Sequence, residues 1–278
     1  MARKPNADPF EPFRVGRKLR LKNFDPAEKP FSIGKREDDD ARLTELALEI
    51  DRLQDLLHAN GTAGAHCKLL VVLQGLDTSG KDGTARAVFT HCSPLGVRVS
   101  GFRAPSEIER AHDFLWRVHQ LVPRAGEIAV FNRSHYEDVL VPVVEGWIDV
   151  AERDRRLAHI NDFERLLVET GTTVVKCFLH ISKDEQKERL QARLDDPAKQ
   201  WKFHADDLTV RAKWKQYAAA YETALAATST KHAPWYVIPA DSKSHRNLMI
   251  ASLVAQVLAG MNLVPPAPDY DPKAVQID

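Results

Sequence analysis

Cysteine is scarce, three residues in 278. Cys67, Cys92 and Cys177 are odd in number, far apart and without metal-ligand spacing. That excludes a disulfide scaffold and a thiolate metal site, and leaves the expectation of buried thiols in a reducing cytoplasm. No apolar run is long enough to cross a bilayer, and the opening MARKPNADPFEPF lacks the apolar core of a signal peptide, so no membrane association is expected. Net charge is missing too: 39 Lys and Arg balance 39 Asp and Glu. A neutral chain argues against a protein that coats nucleic acid, while leaving room for a local basic groove. There is no internal repeat, no low-complexity tract and no linker-like stretch in the middle. One large α/β domain spanning 1–278 is the expectation, rather than two small ones.

Within that domain, residues 1–37 read as an irregular Pro-, Lys- and Arg-rich arm that docks through Phe10, Phe13, Phe24 and Phe31. Asp38–Asp40 supply caps for a helix over 38–61, in which Leu43, Leu46, Ile50, Leu53 and Leu57 recur three or four apart. KLLVVLQ (68–74) is a near-continuous apolar strand of the kind buried on both faces of a parallel sheet. VRVSGF (97–102), EIAVFN (127–132), VVKCFLHI (174–181) and WYVIPA (235–240) supply four more. Ser106 with Glu109 makes a capping-box signature for SEIERAHDFLWRVHQLV, and Ser182 with Glu185 does so for KDEQKERLQARL. Strands alternating with helices over 68–260 predict a doubly wound parallel five-stranded sheet with flanking helices. The site is then expected at the carboxyl ends of its strands. Residues 261–278, with PPAPDYDP, read as an extended tail.

The stretch LQGLDTSGKDGTA (73–85) carries the first motif. Gly75, Gly80 and Lys81 have the spacing of a phosphate-binding loop, set between a buried strand and a helix. Glycines let the backbone wrap an anion, the lysine adds charge, and the helix N-terminus faces the phosphate. Asp82 stands where such loops carry Ser or Thr, and Asp77 adds a carboxylate within the loop. An acid in a first helical turn favours the helix dipole, which accounts for Asp82 without a ligand. It does not account for Asp77. Carboxylates repel polyphosphate unless a divalent cation intervenes, so Asp77 is the candidate metal ligand, while Asp82 stands between cap and metal ligand.

The second motif, FNRSHYEDVLV (131–141), ends a strand in Asn132 and Arg133 and continues into Glu137 and Asp138. Arg133 reads either as a structural ion-pair partner or as a group on phosphate. His135 reads as structural, because nothing near it in sequence forms a nucleophile–base pair.

GLDTSGKDG together with FNRSHYEDVLV closely resembles the family-2 polyphosphate kinases, P-loop enzymes that transfer phosphate between inorganic polyphosphate and nucleotides. The resemblance covers most of the chain, including RLDDPAKQWKF (193–203) and STKHAPWYVIPADSK (229–243). It implies a thymidylate-kinase-like fold with a helical lid at about 187–206, dependence on Mg²⁺ or Mn²⁺, and homodimers or homotetramers. It implies AMP, ADP and ATP as nucleotide partners, with GMP and GDP as alternatives. By the same resemblance Asp77, Lys81, Asn132 and Arg133 are catalytic. Gly75, Gly80, Asp82 and Gly83 then cradle phosphate, and Glu137 and Asp138 serve the metal or acceptor nucleotide; Arg103, by its position just past strand 97–102, is a further candidate for the phosphate path. Arg189, Arg193, Lys199 and Lys202 cover the phosphates from the lid. Two plainer readings stay open: Glu137 and Asp138 as helix-dipole partners, and the lid residues as a solvated helix of Glu–Arg pairs. The SHYEDVLV form resembles the branch that accepts AMP as well as ADP. Against the family reading stand an ATP-dependent small-molecule kinase and a P-loop protein that binds without turnover.

Overall fold

The computed structural model of the chain describes residues 8–277, so the first seven residues of the expected arm and the last residue of the tail lie outside the described residues. Five strands, β1 (Lys68–Gln74), β2 (Val97–Gly101), β3 (Ile128–Asn132), β4 (Thr172–His180) and β5 (Trp235–Pro239), pair in parallel in the order β2-β3-β1-β4-β5. The helices are α1 (Arg36–Thr62), α2 (Lys81–Val88), α3 (Glu107–Arg110), α4 (Trp116–His119), α5 (Glu137–Val144), α6 (Val150–Glu169), α7 (Lys183–Asp195), α8 (Asp206–Ala212), α9 (Trp214–Thr228) and α10 (Lys243–Gly260).

The apolar run of β1 divides by strand alternation between two cores. Leu69, Val71 and Leu73 pack with α1, α2 and α10 on one face; Leu70 and Val72 pack with α5, α6 and α9 on the other. Sequence order and spatial order differ as a doubly wound sheet requires, with β1 central between β3 and β4. The register sets Leu73 beside Asn132, and the Arg133 N–H donates to the Leu73 carbonyl at 3.0 Å. The two motifs therefore emerge side by side from adjacent strands.

The arm docks as its aromatics predict. Phe10 and Phe13 are buried, Phe24 and Phe31 pack on the core, and Phe10 stacks on Phe31 with centroids 4.7 Å apart. The arm also closes the β5 edge: Val15 N–H donates to the Trp235 carbonyl at 2.8 Å, and Arg14 bridges Tyr236.

Two expectations shift. The helix expected from 38 begins at Arg36, because the Asp38 carboxylate accepts from the Lys35 N–H at 2.8 Å and closes the first turn from within. Asp39 points inward, accepting from Ser32 Oγ and the Ile33 N–H. The continuous helix expected over 106–122 breaks into α3 and α4. Ser106 and Glu109 do form their capping box, but Asp113 accepts from the Leu115 N–H at 2.9 Å and diverts the backbone.

Candidate active site

The loop after β1 turns on glycine geometry: φ is 151° at Gly75 and 101° at Gly80, the second at the N-terminus of α2. Those values suit a residue without Cβ. Lys81 is buried, its ammonium donating to the Gly75 carbonyl at 2.6 Å and the Leu76 carbonyl at 3.2 Å. Burial, reinforced by the Arg133 charge, pulls its pKa down to about 8 against the opposing pull of Asp77. Gln74 Oε1, Thr78 Oγ1 and Ser79 Oγ are buried without a protein partner, leaving hydrogen-bonding capacity around the loop.

From β3 comes Arg133, at φ 63°, a left-handed conformation uncommon for a side-chain-bearing residue. Its guanidinium meets Asp77 at 2.7 Å and Glu137 at 3.8 Å. Asn132 donates its side-chain amide to the Asp82 carboxylate, so the strand end is tied to the first turn of α2. Asp82 is exposed there and Gly83 follows it. Burial raises the Glu137 carboxyl above its ordinary pKa although Arg133 and Lys81 pull the other way. Asp207, on α8, is likewise raised by burial and next by the charge of Asp77.

Of these groups, Asp77, Arg133, Glu137 and Asp207 open onto a cleft of about 1900 Å³. Asp77, Arg133, Glu137, Asp138 and Arg103 line it, as do Arg117, Trp147, Trp201 and Asp207. Its charge differs from a single-sign basic groove: the arginines Arg103, Arg110, Arg117, Arg133 and Arg156 are outnumbered by Asp and Glu along the wall. Among the described residues, none of the arm's basic side chains lines it, and Arg20 pairs instead with Glu222 at 3.2 Å.

The donor set fits a hard divalent cation, because carboxylates crowd a phosphate-shaped loop and Asp77 adds to the upward push on both Glu137 and Asp207. No group of three or more His, Cys, Asp or Glu residues among those described forms a ready-made cage. Mg²⁺ commonly binds through one or two carboxylates plus substrate phosphates, so Asp77 remains the candidate ligand.

Several expected site residues have other partners. Asp138 is bound to Arg117 at 2.8 Å, and Arg117 also donates to the Arg103 carbonyl at 2.8 Å. Arg103 itself is exposed at the cleft. Arg189, expected on the lid over phosphate, is corrected: it is buried, and its N–H groups engage Glu185 and the carbonyls of Thr78, Ser79, Ala240 and Asp241. Arg193 donates to the Lys202 carbonyl at 3.0 Å and lies 3.4 Å from Asp207. Asp196 adopts an extended backbone that ends α7, as Asp-Pro predicts. Lys199 pairs with Asp196 at 2.5 Å, and Lys202 lies 5.1 Å from the Trp201 ring centroid. The segment borders the cleft through Trp201, His204, Asp206 and Asp207, rather than through its basic side chains.

Behind the second motif, His135 and Tyr136 are fully buried. Glu164 accepts from the Tyr136 hydroxyl at 2.8 Å, lies 3.3 Å from His135 Nε2, and pairs with Lys176 at 2.5 Å. His135 is structural, as its sequence context predicts.

A parallel sheet with a phosphate loop after its central strand, and a cation–carboxylate cluster at the neighbouring strand end, defines a P-loop phosphotransferase architecture. Residues 34–264 match the family described as Polyphosphate kinase 2 (PPK2), and the chain belongs to that family. It is 46% identical over 261 residues to the AMP/ADP-polyphosphate phosphotransferase of Meiothermus ruber, covering 94% of this chain and 96% of that protein. It is 39% identical over 230 residues to the ADP-polyphosphate phosphotransferase of Rhodopseudomonas palustris, 78% of this chain and 79% of the relative. The crystal structure of Polyphosphate Kinase 2 from Arthrobacter aurescens TC1 superposes with a TM-score of 0.94 at 45% identity, covering 98% and 96% of the two chains.

Proposed function

We propose that this chain is a polyphosphate:nucleotide phosphotransferase, moving the terminal phosphoryl group of inorganic polyphosphate onto AMP or ADP, reversibly and with Mg²⁺. The observation that carries the reading is the meeting of Lys81, Arg133 and Asp77 at the ends of β1 and β3, beside the cleft that Asp77 and Arg133 line. The relatives named for AMP, ADP and polyphosphate support the same substrates.

In the reaction, an oxygen of the acceptor's terminal phosphate attacks the end phosphorus of the chain. One P–O bond forms as the bridging P–O bond breaks, and the electron pair of the broken bond leaves on the shortened polyphosphate. Such transfer needs positioning and positive charge more than covalent chemistry. Lys81 exchanges loop carbonyls for phosphate oxygens, joined by the amides of Gly80, Asp82 and Gly83. Arg133 exchanges Asp77 and Glu137 for the oxygens of the transferring group, where charge is greatest. Asn132, tied to Asp82, keeps the two motifs in register. Asp77, with Glu137 beside it, would hold Mg²⁺, or Mn²⁺ as the alternative. Bound there, the cation would supply charge neutralisation between phosphates. Arg117 and Asp138 fix the wall carrying Arg103.

Homodimer or homotetramer formation and a cytoplasmic location belong to the same proposal; light scattering checks the first. No helix among the described residues is long and apolar enough to cross a membrane. The test is chromatography of products from AMP, ADP, GMP and GDP incubated with polyphosphate and Mg²⁺ and no ATP. Formation of ADP or ATP is the expected outcome. Transfer that needs ATP as donor overturns it.

A further inference from the structure

Arg189 and Arg246 come from α7 and α10 and meet behind the phosphate loop. Arg189 Nη1 donates to the carbonyls of Thr78 and Ser79 at 2.9 and 3.3 Å, and its Nη2 donates to those of Ala240 and Asp241, each at 2.7 Å. Arg246 Nη1 donates to the same Ser79 carbonyl at 3.0 Å, while its Nε donates to Thr84 Oγ1 at 2.8 Å and its Nη2 to Asn247 Oδ1 at 2.9 Å. Both arginines are buried. Burying two guanidiniums near each other is costly, and burial followed by Arg189's charge brings the Arg246 pKa down to about 9. Glu185 compensates part of that charge, pairing with Arg189 at 2.7 Å, and the loop carbonyls of Thr78 and Ser79 are among the remaining partners.

We infer that Arg189 and Arg246 are positioning residues that fix the phosphate loop from its rear, so that its amides face the anion. The inference rests on the proposed phosphate-binding function of this loop. A trans peptide plane points its C=O and the next N–H in opposite directions. Two guanidiniums on the Ser79 carbonyl therefore aim the Gly80 N–H the other way, and no acceptor among the described residues takes that N–H. The carbonyl of Thr78, whose φ of 65° is unfavourable for a β-branched residue, is held by Arg189. A Cβ on Gly80 would stand 2.0 Å from Arg246 Nη1, so the glycine serves the brace as well as the turn. Because Arg189 lies one helical turn before Arg193, the same helix fastens the loop at one point and the Trp201–Asp207 segment at the next.

The test measures tripolyphosphate affinity by calorimetry, well below the melting temperature, in wild type, Arg189→Lys, Arg189→Ala, Arg246→Lys and Asn247→Ala. A lysine cannot reproduce the planar fork that reaches several carbonyls. The two Lys variants are expected to lose about tenfold or more in affinity. Their folded fractions stay at wild-type level by circular dichroism, and the KM for polyphosphate rises in parallel. Millimolar guanidinium partly restores binding to Arg189→Ala, which a general loss of packing would not allow. Asn247→Ala removes an acceptor that Arg246 shares with the Thr84 hydroxyl, leaves both arginines in place, and carries the test if the arginine variants fail to fold: a loss of about threefold is expected. Folded variants that bind tripolyphosphate within about twofold of wild type overturn the inference. Wild type that binds tripolyphosphate yet transfers nothing to AMP or ADP would overturn the proposed function and leave the brace intact.

Discussion

Lys81 and Arg133 are two cations that carboxylates and carbonyls hold close together in one corner, and each has a definite consequence when removed. Loss of one donor to a developing charge typically costs about 2.7–4 kcal/mol of barrier. Lys81→Ala and Arg133→Ala should therefore each lower kcat at least about a hundredfold, while the melting transition stays cooperative. A near-wild-type kcat in either variant would remove that residue from the mechanism. The low pKa of Lys81, about 8 and caused first by burial, gives a second prediction. In the free enzyme the ammonium is lost as pH rises through about 8, so kcat/KM should fall on that alkaline limb. Stability moves the other way: between about 8 and the unfolded value of 10.5 the unfolded chain binds the extra proton, so this group adds stability as pH rises. A pH profile flat to 9.5, or one falling alike in Lys81→Arg, would contradict the assignment.

At the scale of the element, the second motif stands on a buried ionic base. Glu164 on α6 and Lys176 on β4 hold Tyr136, and with it the turn that carries Arg133. Burial works against the Glu164 charge, but Lys176 and His135 outweigh it and keep the carboxyl below its ordinary range. Lys176→Met leaves that carboxylate unpaired and should cost about 3–5 kcal/mol in urea unfolding. Glu164→Leu combined with Lys176→Met should recover much of the loss; a double variant as unstable as the sum of the singles would show that the two side chains act independently. None of this network was legible beforehand, because its members lie in different elements and each looks ordinary in its own. The strands were legible to within a residue or two: β1, β3, β4 and β5 are apolar runs whose burial fixes them, while β2, at the sheet edge and without a buried residue, showed through its alternating valines. The break between α3 and α4 was not: it turns on one Asp113 carboxylate capturing one amide. Around the loop, motif spacing singled out Lys81, Asp77 and Arg133, which the fold brings together. Arg246 was missed because its partner Ser79 lies 167 positions away in sequence. Arg189 was assigned to the wrong face for the same reason, since sequence places it on α7 without saying what α7 packs against.

Across the whole molecule charges balance, but the cleft departs from that neutrality, its carboxylates outnumbering its arginines. A polyanion entering such a cleft meets repulsion that the protein's own cations do not cancel. Turnover should therefore depend strictly on a divalent cation: chelation with EDTA should lower it at least about a hundredfold, and Mg²⁺ should restore it fully. Substantial turnover in EDTA would mean that the acidic wall is turned away from substrate. The arm is the other whole-chain feature, joining residues near the N-terminus to β5 and α10. Phe10→Ala should destabilise the fold by about 3–5 kcal/mol, read from the shift in a urea melt, because its ring is fully buried against Phe31 and Tyr236.

The central claim is that phosphate moves from an inorganic chain to a nucleotide at the ends of β1 and β3. Its most direct test is the formation of ATP from ADP, with polyphosphate as the sole phosphoryl donor and Mg²⁺ present, in wild type and in Arg133→Ala. The account predicts ATP accumulating with loss of polyphosphate residues in wild type, and at least about a hundredfold slower in the variant. No ATP from wild-type protein, or equal ATP from both, would contradict it.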